Sequence, residues 1–526
     1  MDTTGTQVPE LVRRSIRLSL YESASSTILT TLAGGAFLTG FLLALGASNP
    51  QIGVVAALPA LANLAQVFGS YLIARTGDKK RLCVGAVLLH RLTWLAIVLT
   101  PLYLFRSELA GIRVWLVIAG VGLASVFQSL AGVSWLSWMA DLIPENLRGR
   151  FFSNRNAVGA VSAMLFSFLA GQFIDWWNGF RSDTVWQCQG FSVLFSAGLF
   201  FGLLGLSSLV RIPTPEKTRH VNASSFWSSL RSPLADRNFR RFILFSSYWG
   251  FAVMCHAPFF NVYLINQLRV PFSLIALMEI SSGITGVLAM RVWGKLTDRV
   301  GNKPLLLICT LGSAFFPAFW LVEGPYAVHV IWFAYIVSGV AWAGLGVNFS
   351  GLLMRLAPLE SNAVYFAVFS SITGIVTAVA PIVGGVFGKL VENTTLNLGI
   401  HIRGLQVLFG IGFILRLLAV PLLHRVQSPR DATVKEVILY LKRIGQPMLM
   451  MRTHRFNPIE NMALFMSRGA AVLEGQVERL IEFSTMGTKR GWHMVIGARR
   501  RLARLMTRLE FILNTFADWI LRRLGL

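Results

Sequence analysis

Long apolar runs, broken by short polar connectors, repeat along most of this chain. Twelve can be marked, at roughly 27–47, 51–74, 82–104, 113–140, 156–176, 190–210, 242–265, 272–294, 304–322, 328–354, 362–388 and 405–424. A helix rises about 1.5 Å per residue, so about 20 apolar residues cross the ~30 Å hydrocarbon core of a bilayer. The pattern predicts an all-α membrane protein with twelve transmembrane helices. It divides the chain into an N-terminal cytoplasmic segment (1–26), a six-helix bundle (27–210), a central linker (211–241), a second six-helix bundle (242–424) and a tail (425–526). The linker is rich in Pro, Ser and Arg, as polar connectors are.

The two bundles echo each other. Gly77 is matched by Gly301, 224 residues later, and Pro144 and Phe152 are matched by Pro358 and Phe366, each 214 residues later. Landmarks recurring at a near-constant offset predict a duplicated, pseudo-symmetric architecture.

Composition agrees with the membrane reading. The chain is 54% hydrophobic and 14% charged, with a mean hydropathy of +0.60 and 38 Phe among 526 residues; soluble domains average about 25% charged residues. The net charge of +24 would suggest nucleic acid on a soluble protein. Here the positive-inside rule and a basic tail account for it, and no nucleic-acid partner is expected. With the N-terminus in the cytoplasm, the inner connectors carry Arg75, Lys79, Lys80, Arg81, Arg148, Arg150, Arg155, Lys295, Arg299, Lys303 and Arg355, and the outer ones far fewer basic residues. Both termini are then cytoplasmic. The polar start lacks a cleavage pattern and does not read as a signal peptide. Cys83, Cys188, Cys255 and Cys309 show no metal-ligand spacing, and no metal or cofactor is expected.

The stretch "GKLTDRVGNK" at 294–303 is a short charged turn between two apolar runs, and "SYLIARTGDKKR" at 70–81 has the same shape with Ala74 in place of the acid. The first resembles the signature loop of the major facilitator superfamily, carried here by Gly294, Asp298, Arg299, Gly301 and Lys303. Ser70, Arg75, Gly77, Lys79 and Lys80 carry the first-half copy. The resemblance covers roughly residues 20–424 and implies that superfamily's fold; the chain beyond it reads as a C-terminal cytoplasmic helical extension. It also implies a gate at the cytoplasmic side, formed by Arg75, Gly77, Asp298, Arg299 and Gly301 with Arg148 and Arg150, in which Asp298 meets arginines at the start of the fifth helix. Gly294 would allow close helix approach. A second stretch, "WMADLIPENLRGRFFSNRN" at 138–156, is similar to a bacterial branch of the superfamily with mostly unassigned substrates, which implies a bacterial cytoplasmic (inner) membrane. Two features depart from typical drug exporters. Residues 156–176 lack a Gly-Pro pair, and Gln128 stands where many proton antiporters carry an arginine. "APIVGG" at 380–385 reads as packing glycines beside a kink at Pro381.

The resemblance implies that the first, fourth, seventh and tenth helices line a central cavity. Their polar and aromatic residues make Gln128, Trp135, Tyr248, Trp249, Tyr335, Trp342 and Asn348 candidate substrate contacts for a small, amphipathic or ring-bearing solute. Ionisable groups inside a membrane are costly and point to function. Glu279 lies about 10 Å below the outer face at 1.5 Å per residue, and His256 falls on the neighbouring helix; a Glu279–His256 proton relay is expected. Arg91 receives no role. No GxxxxGK[ST] loop occurs, so transport would be secondary and no bond would be made or broken.

The tail holds 18 basic against 8 acidic residues over 425–526, with an apolar stripe through Leu502, Leu505, Leu509, Ile512, Phe516 and Ile520. It predicts a cytoplasmic amphipathic helix on anionic lipid, or a docking helix for a partner or second protomer. Two alternatives to solute transport stay open: a lipid or lysolipid flippase, and a non-transporting scaffold acting through this tail.

Overall fold

The computed structural model describes residues 10–104, 112–181, 183–213, 232–358, 362–397 and 401–428. All but the first turn of the first helix fall in one unit, Arg14–Val434. The expected tail helices lie outside the described residues, as does most of the linker.

Twelve helices are long and apolar enough to span a membrane. The first bundle comprises α1 (Val12–Ala44), α2 (Asn49–Ile73), α3 (Lys79–Leu99), α4 (Arg113–Leu142), α5 (Asn146–Asn178) and α6 (Thr184–Arg211). The second comprises α7 (Arg237–Gln267), α8 (Phe272–Val300), α9 (Asn302–Leu321), α10 (Ala327–Leu356), α11 (Val364–Leu390) and α12 (Leu405–His424). The protein is thus a multi-pass membrane protein of two six-helix bundles. The first helix starts at Glu10, well before the apolar run marks it. Its N-terminal part is held by polar packing, with Ser15, Ser19, Glu22 and Ser23 all buried, which a hydropathy pattern does not register. A short hairpin not foreseen in the sequence, β1 (Thr395–Asn397) paired with β2 (His401–Arg403), joins α11 to α12.

Local chemistry sets several boundaries. Asp236 caps α7 by accepting from the backbone amides of Asn238 and Phe239 at 2.8 and 3.1 Å. Ser48 and Gln51 form a capping box at the start of α2. The matched glycines end α2 and α8 in the same way. Gly77 has φ +66° and donates to Ile73 O at 2.9 Å; Gly301 has φ +90° and donates to Thr297 O at 3.0 Å. A side chain at either would strain the turn.

The first helix of each bundle is interrupted. α1 breaks between Leu32 and Gly35, and α7 breaks after Met254, resumes at Phe259 and ends in a π turn over Tyr263–Gln267. Interrupted helices at corresponding places in two halves mark a binding region in carriers built from repeats.

The close approaches between the bundles lie toward the end away from Gly77 and Gly301. A Cβ on Gly53 would collide with the Pro381 carbonyl, one on Gly385 with Asn49, and one on Gly171 with the backbone of Ser273. "APIVGG" therefore serves packing. Gly294 differs from its expected role, because nothing lies within 4 Å of the place its Cβ would occupy.

Candidate functional site

A cavity of about 550 Å³ lies between the bundles. Most of its wall comes from α1 to α4, and Pro258 and Asn261 at the break in α7 complete it. The breaks matter here, since Gly34, Gly35 and Pro258 are all part of the lining. Its polar groups are Thr30, Thr39, Asn63, Gln66, His90, Ser125, Gln128, Ser129 and Asn261. Most are satisfied locally. Thr30 donates to Thr27 O, Thr39 to Gly35 O, and Ser125 to Val121 O, while Asn63 Oδ1 accepts from both Gln66 and Ser129. Gln128, which is exposed to the cavity, and Asn261, which is half-buried, make no hydrogen bond among the described residues. Among the described residues, no Asp, Glu, Lys or Arg lines the cavity.

Of the seven residues expected to bind substrate, Gln128 alone is in that lining. Asn348 is fully buried and accepts from Thr297 Oγ1 at 2.8 Å while donating to Gly344 O, so it ties α10 to α8 rather than meeting a solute. Trp135 is stacked beneath the Arg155 guanidinium, 4.0 Å from its ring centre, and beside Phe151 and Phe152. Trp249, 6% exposed, and Trp342, 39% exposed, flank the Arg416 guanidinium. Tyr335 packs edge-on to Phe316 and is half-buried, as is Tyr248. The expectation gave every aromatic on a lining helix the same weight; facing and packing separate them.

Glu279 and His256 do not form the expected relay among the described residues. His256 is fully buried with its ring pressed against Gly412 of α12, near Arg416. Glu279 lies on α8, with an exposed surface, and makes no hydrogen bond with His256. The break in α7 turns His256 away, which a count along the sequence does not reveal.

The first bundle holds a buried polar network the sequence left unassigned. Glu22, 7% exposed, accepts from Arg155 Nη2 at 2.9 Å and from Ser26 Oγ at 2.8 Å. Ser26 Oγ accepts from Arg91 Nη2 at 3.1 Å, and Arg91 Nη1 lies 2.7 Å from His90 Nδ1. Trp94 Nε1 reaches the other His90 nitrogen at 3.2 Å. His90 and Trp94 line the cavity. The network thus runs from α5 through α1 to α3 and ends at the solute space. Glu22 was legible only as a residue before the first apolar run.

At the basic end, Asp298 is exposed and has no ion pair among the described residues. The expected contact with the start of α5 is not made in this conformer. Arg148 instead donates to the carbonyls of Ile143 and Ala140 that close α4, and Arg150, Arg75 and Arg299 are exposed. Lys79 pairs with Asp141. A carboxylate that does join the bundles is Asp175, at the opposite end, which accepts from the backbone amides of Phe272 and Ser273.

A family model described as Major Facilitator Superfamily matches residues 23–381. Among curated proteins, the tetracycline resistance protein, class E, of Escherichia coli is 27% identical over 118 residues, 22% of this chain and 28% of that protein. The efflux pump dotC of Dothistroma septosporum is 32% identical over 132 residues, 25% of this chain and 22% of that pump. The chain thus aligns with under a third of either relative. Among solved structures, the nucleoside transporter NupG shares the fold with a TM-score of 0.61 at 14% identity, over 78% of this chain and 100% of that one. A D-xylose-proton symporter does so with a TM-score of 0.56 at 17% identity, over 80% and 97%. Because the family match runs from the first span into the eleventh, across both bundles and the linker, it cannot reflect one shared turn, and the chain belongs to the Major Facilitator Superfamily of membrane transporters.

Proposed function

We propose that this protein is a secondary carrier that moves a small, uncharged, amphipathic organic solute by alternating access, coupled to protons through Glu279. The observation that carries the reading is the pair of unbonded amides, Gln128 from one bundle and Asn261 from the other, in a cavity without ionic side chains. Each amide offers donors and an acceptor. A solute with hydroxyl, amide or ring-nitrogen groups satisfies both, while the apolar remainder of the wall, with Leu38, Leu42, Ile52 and Trp94, covers its body. A charged solute would lose its hydration without a counter-charge in return.

The same cavity accounts for transport. Both bundles contribute to it, so a rocking motion that parts them at one end and joins them at the other changes access without moving the site. The positive-inside rule puts the turns of Gly77 and Gly301 on the cytoplasmic side. The present conformer is then closed at the outer end, by Asp175 and the packing of Gly53 on Pro381. Protonation of Glu279 removes a charge from the membrane-spanning part of α8 and alters the cost of moving that helix. The basic tail rests on anionic lipid at the cytoplasmic face.

The test is a thermal-shift screen of uncharged solutes on the purified protein, followed by flux measurement in liposomes. A binder stabilises the folded state in proportion to its occupancy. Saturable binding and flux of a neutral solute, driven by an imposed pH gradient, is the expected outcome. Movement of a lipid analogue with no flux of any soluble hit would refute the reading.

A further inference from the structure

We infer that the second bundle holds a buried site for a small inorganic anion of chloride size, centred on Arg416. This is separate from the solute cavity and does not depend on its cargo.

Arg416 on α12 is 1% exposed, in the interior of a membrane-spanning bundle. A guanidinium stays charged, and an ion taken from water needs a counter-charge or a full set of acceptors. Arg416 has little of either. Nη1 donates to Ser313 O at 2.9 Å, and the guanidinium carbon stands 5.9 and 6.0 Å from the Trp249 and Trp342 ring centres. Its Nε has no partner, and no carboxylate pairs with it among the described residues.

Other unpartnered polar groups gather at the same place. His256 is 0% exposed, and at most the Ala252 carbonyl answers one of its ring nitrogens, which leaves the other without a partner. Its ring fills the space that a side chain at position 412 would take, one helical turn from Arg416. Thr310 is also 0% exposed, and its Oγ1 has no partner. It lies one turn before Ser313 on α9, whose carbonyl already holds Arg416. A buried guanidinium, imidazole and hydroxyl thus bring unused hydrogen-bonding capacity to one place, where only the guanidinium carries a charge.

Buried polar atoms are rarely left unsatisfied in folded proteins, so each such group calls for an explanation. Water would satisfy the hydrogen bonds but leave the charge of Arg416 uncompensated. A monovalent anion supplies both an acceptor and the counter-charge. Full burial of Arg416, His256 and Thr310 restricts the site to a small ion rather than an organic acid.

The experiment compares the purified full-length protein in sodium chloride and sodium gluconate at equal ionic strength, by thermal unfolding. The wild type should show a saturable rise in Tm with chloride. Arg416→Met should be insensitive to chloride. Thr310→Val should keep the response with an apparent affinity weakened by about tenfold. Bromide in a crystal should give an anomalous peak between Arg416 and Thr310. A wild type indifferent to chloride, or an Arg416→Met protein that still responds, overturns the inference. If Arg416→Met fails to fold, an unchanged affinity in Thr310→Val overturns it, as does a water peak without anomalous signal at the site.

Discussion

Asp175, near the end of α5, accepts the backbone amide of Ser273, at the start of α8, at 2.8 Å, and so bonds one bundle to the other. The neighbouring amide of Phe272 binds the second carboxylate oxygen at the same distance. A carboxylate on the first free amides of a helix meets unsatisfied donors and the positive end of its dipole. The pairing across bundles makes this cap a latch. Asp175→Asn should weaken it by about 1 kcal/mol, a roughly fivefold shift toward conformers parted at that end. Spin labels on cysteines at Phe180 and Tyr326, both exposed, would read the change as a longer distance. The four native cysteines are buried and would not compete for label. An unaltered distance distribution would show that the glycine packing alone holds this end.

Asp298 leads to the opposite expectation. It makes no ion pair among the described residues, so Asp298→Asn should leave the present conformer as it is. If Asp298 meets an arginine only when the basic end closes, the substitution should deplete that closed conformer. Ala74→Asp, which restores the acid in the first-half turn, should enrich it. Alkylation of cysteines placed in the two turns measures both, and equal rates in all three proteins would remove the acid from gating.

Gln128 and Asn348 are both polar residues on helices expected to line the cavity, yet they should behave differently. Gln128→Ala removes an unbonded amide from the cavity wall and should weaken solute binding by about tenfold while Tm stays near the wild-type value. Asn348→Ala breaks two buried hydrogen bonds between and within helices and should cost about 1–3 kcal/mol of stability. Its effect on solute affinity should be small. Ligand-dependent and ligand-free melting curves separate the two results.

Glu279→Gln should abolish solute accumulation driven by a pH gradient and spare exchange of solute for solute, which needs no net proton movement. His256→Gln should leave the pH profile of transport unchanged, because His256 faces α12 rather than Glu279. A profile displaced by His256→Gln but untouched by Glu279→Gln would reverse the assignment.

Glu22 offers a sharper energetic test. It neutralises Arg155 directly and reaches Arg91 through Ser26. Glu22→Gln strands buried guanidinium groups and should cost about 3 kcal/mol. The double variant with Arg155→Gln should recover part of that loss, since the two sites are coupled. Thermal melts of the two single variants and the double one close the cycle; additive losses would mean the pair contributes nothing as a pair.

The spans, their number and the doubled turns were legible in the amino-acid order because they rest on local physics. An apolar run near 20 residues must cross the bilayer as a helix, whatever its neighbours, and a glycine at positive φ ends a helix wherever it stands. Gly77, Gly301 and the twelve runs are such features. Which side chains meet was not legible, since it depends on the rotation of each helix and on the breaks in α1 and α7. Asn348, Trp135 and Trp249, like Gln128, lie on helices expected to line the cavity but turned into packing, while Asn63, Gln66 and Trp94 turned into the cavity. Glu22 seemed to precede the membrane because its charge broke the hydropathy pattern. The tertiary structure shows that charge neutralised by an arginine 133 positions away. Hydropathy sums residues along the chain, whereas the burial of a charge is decided by partners that only the fold brings near.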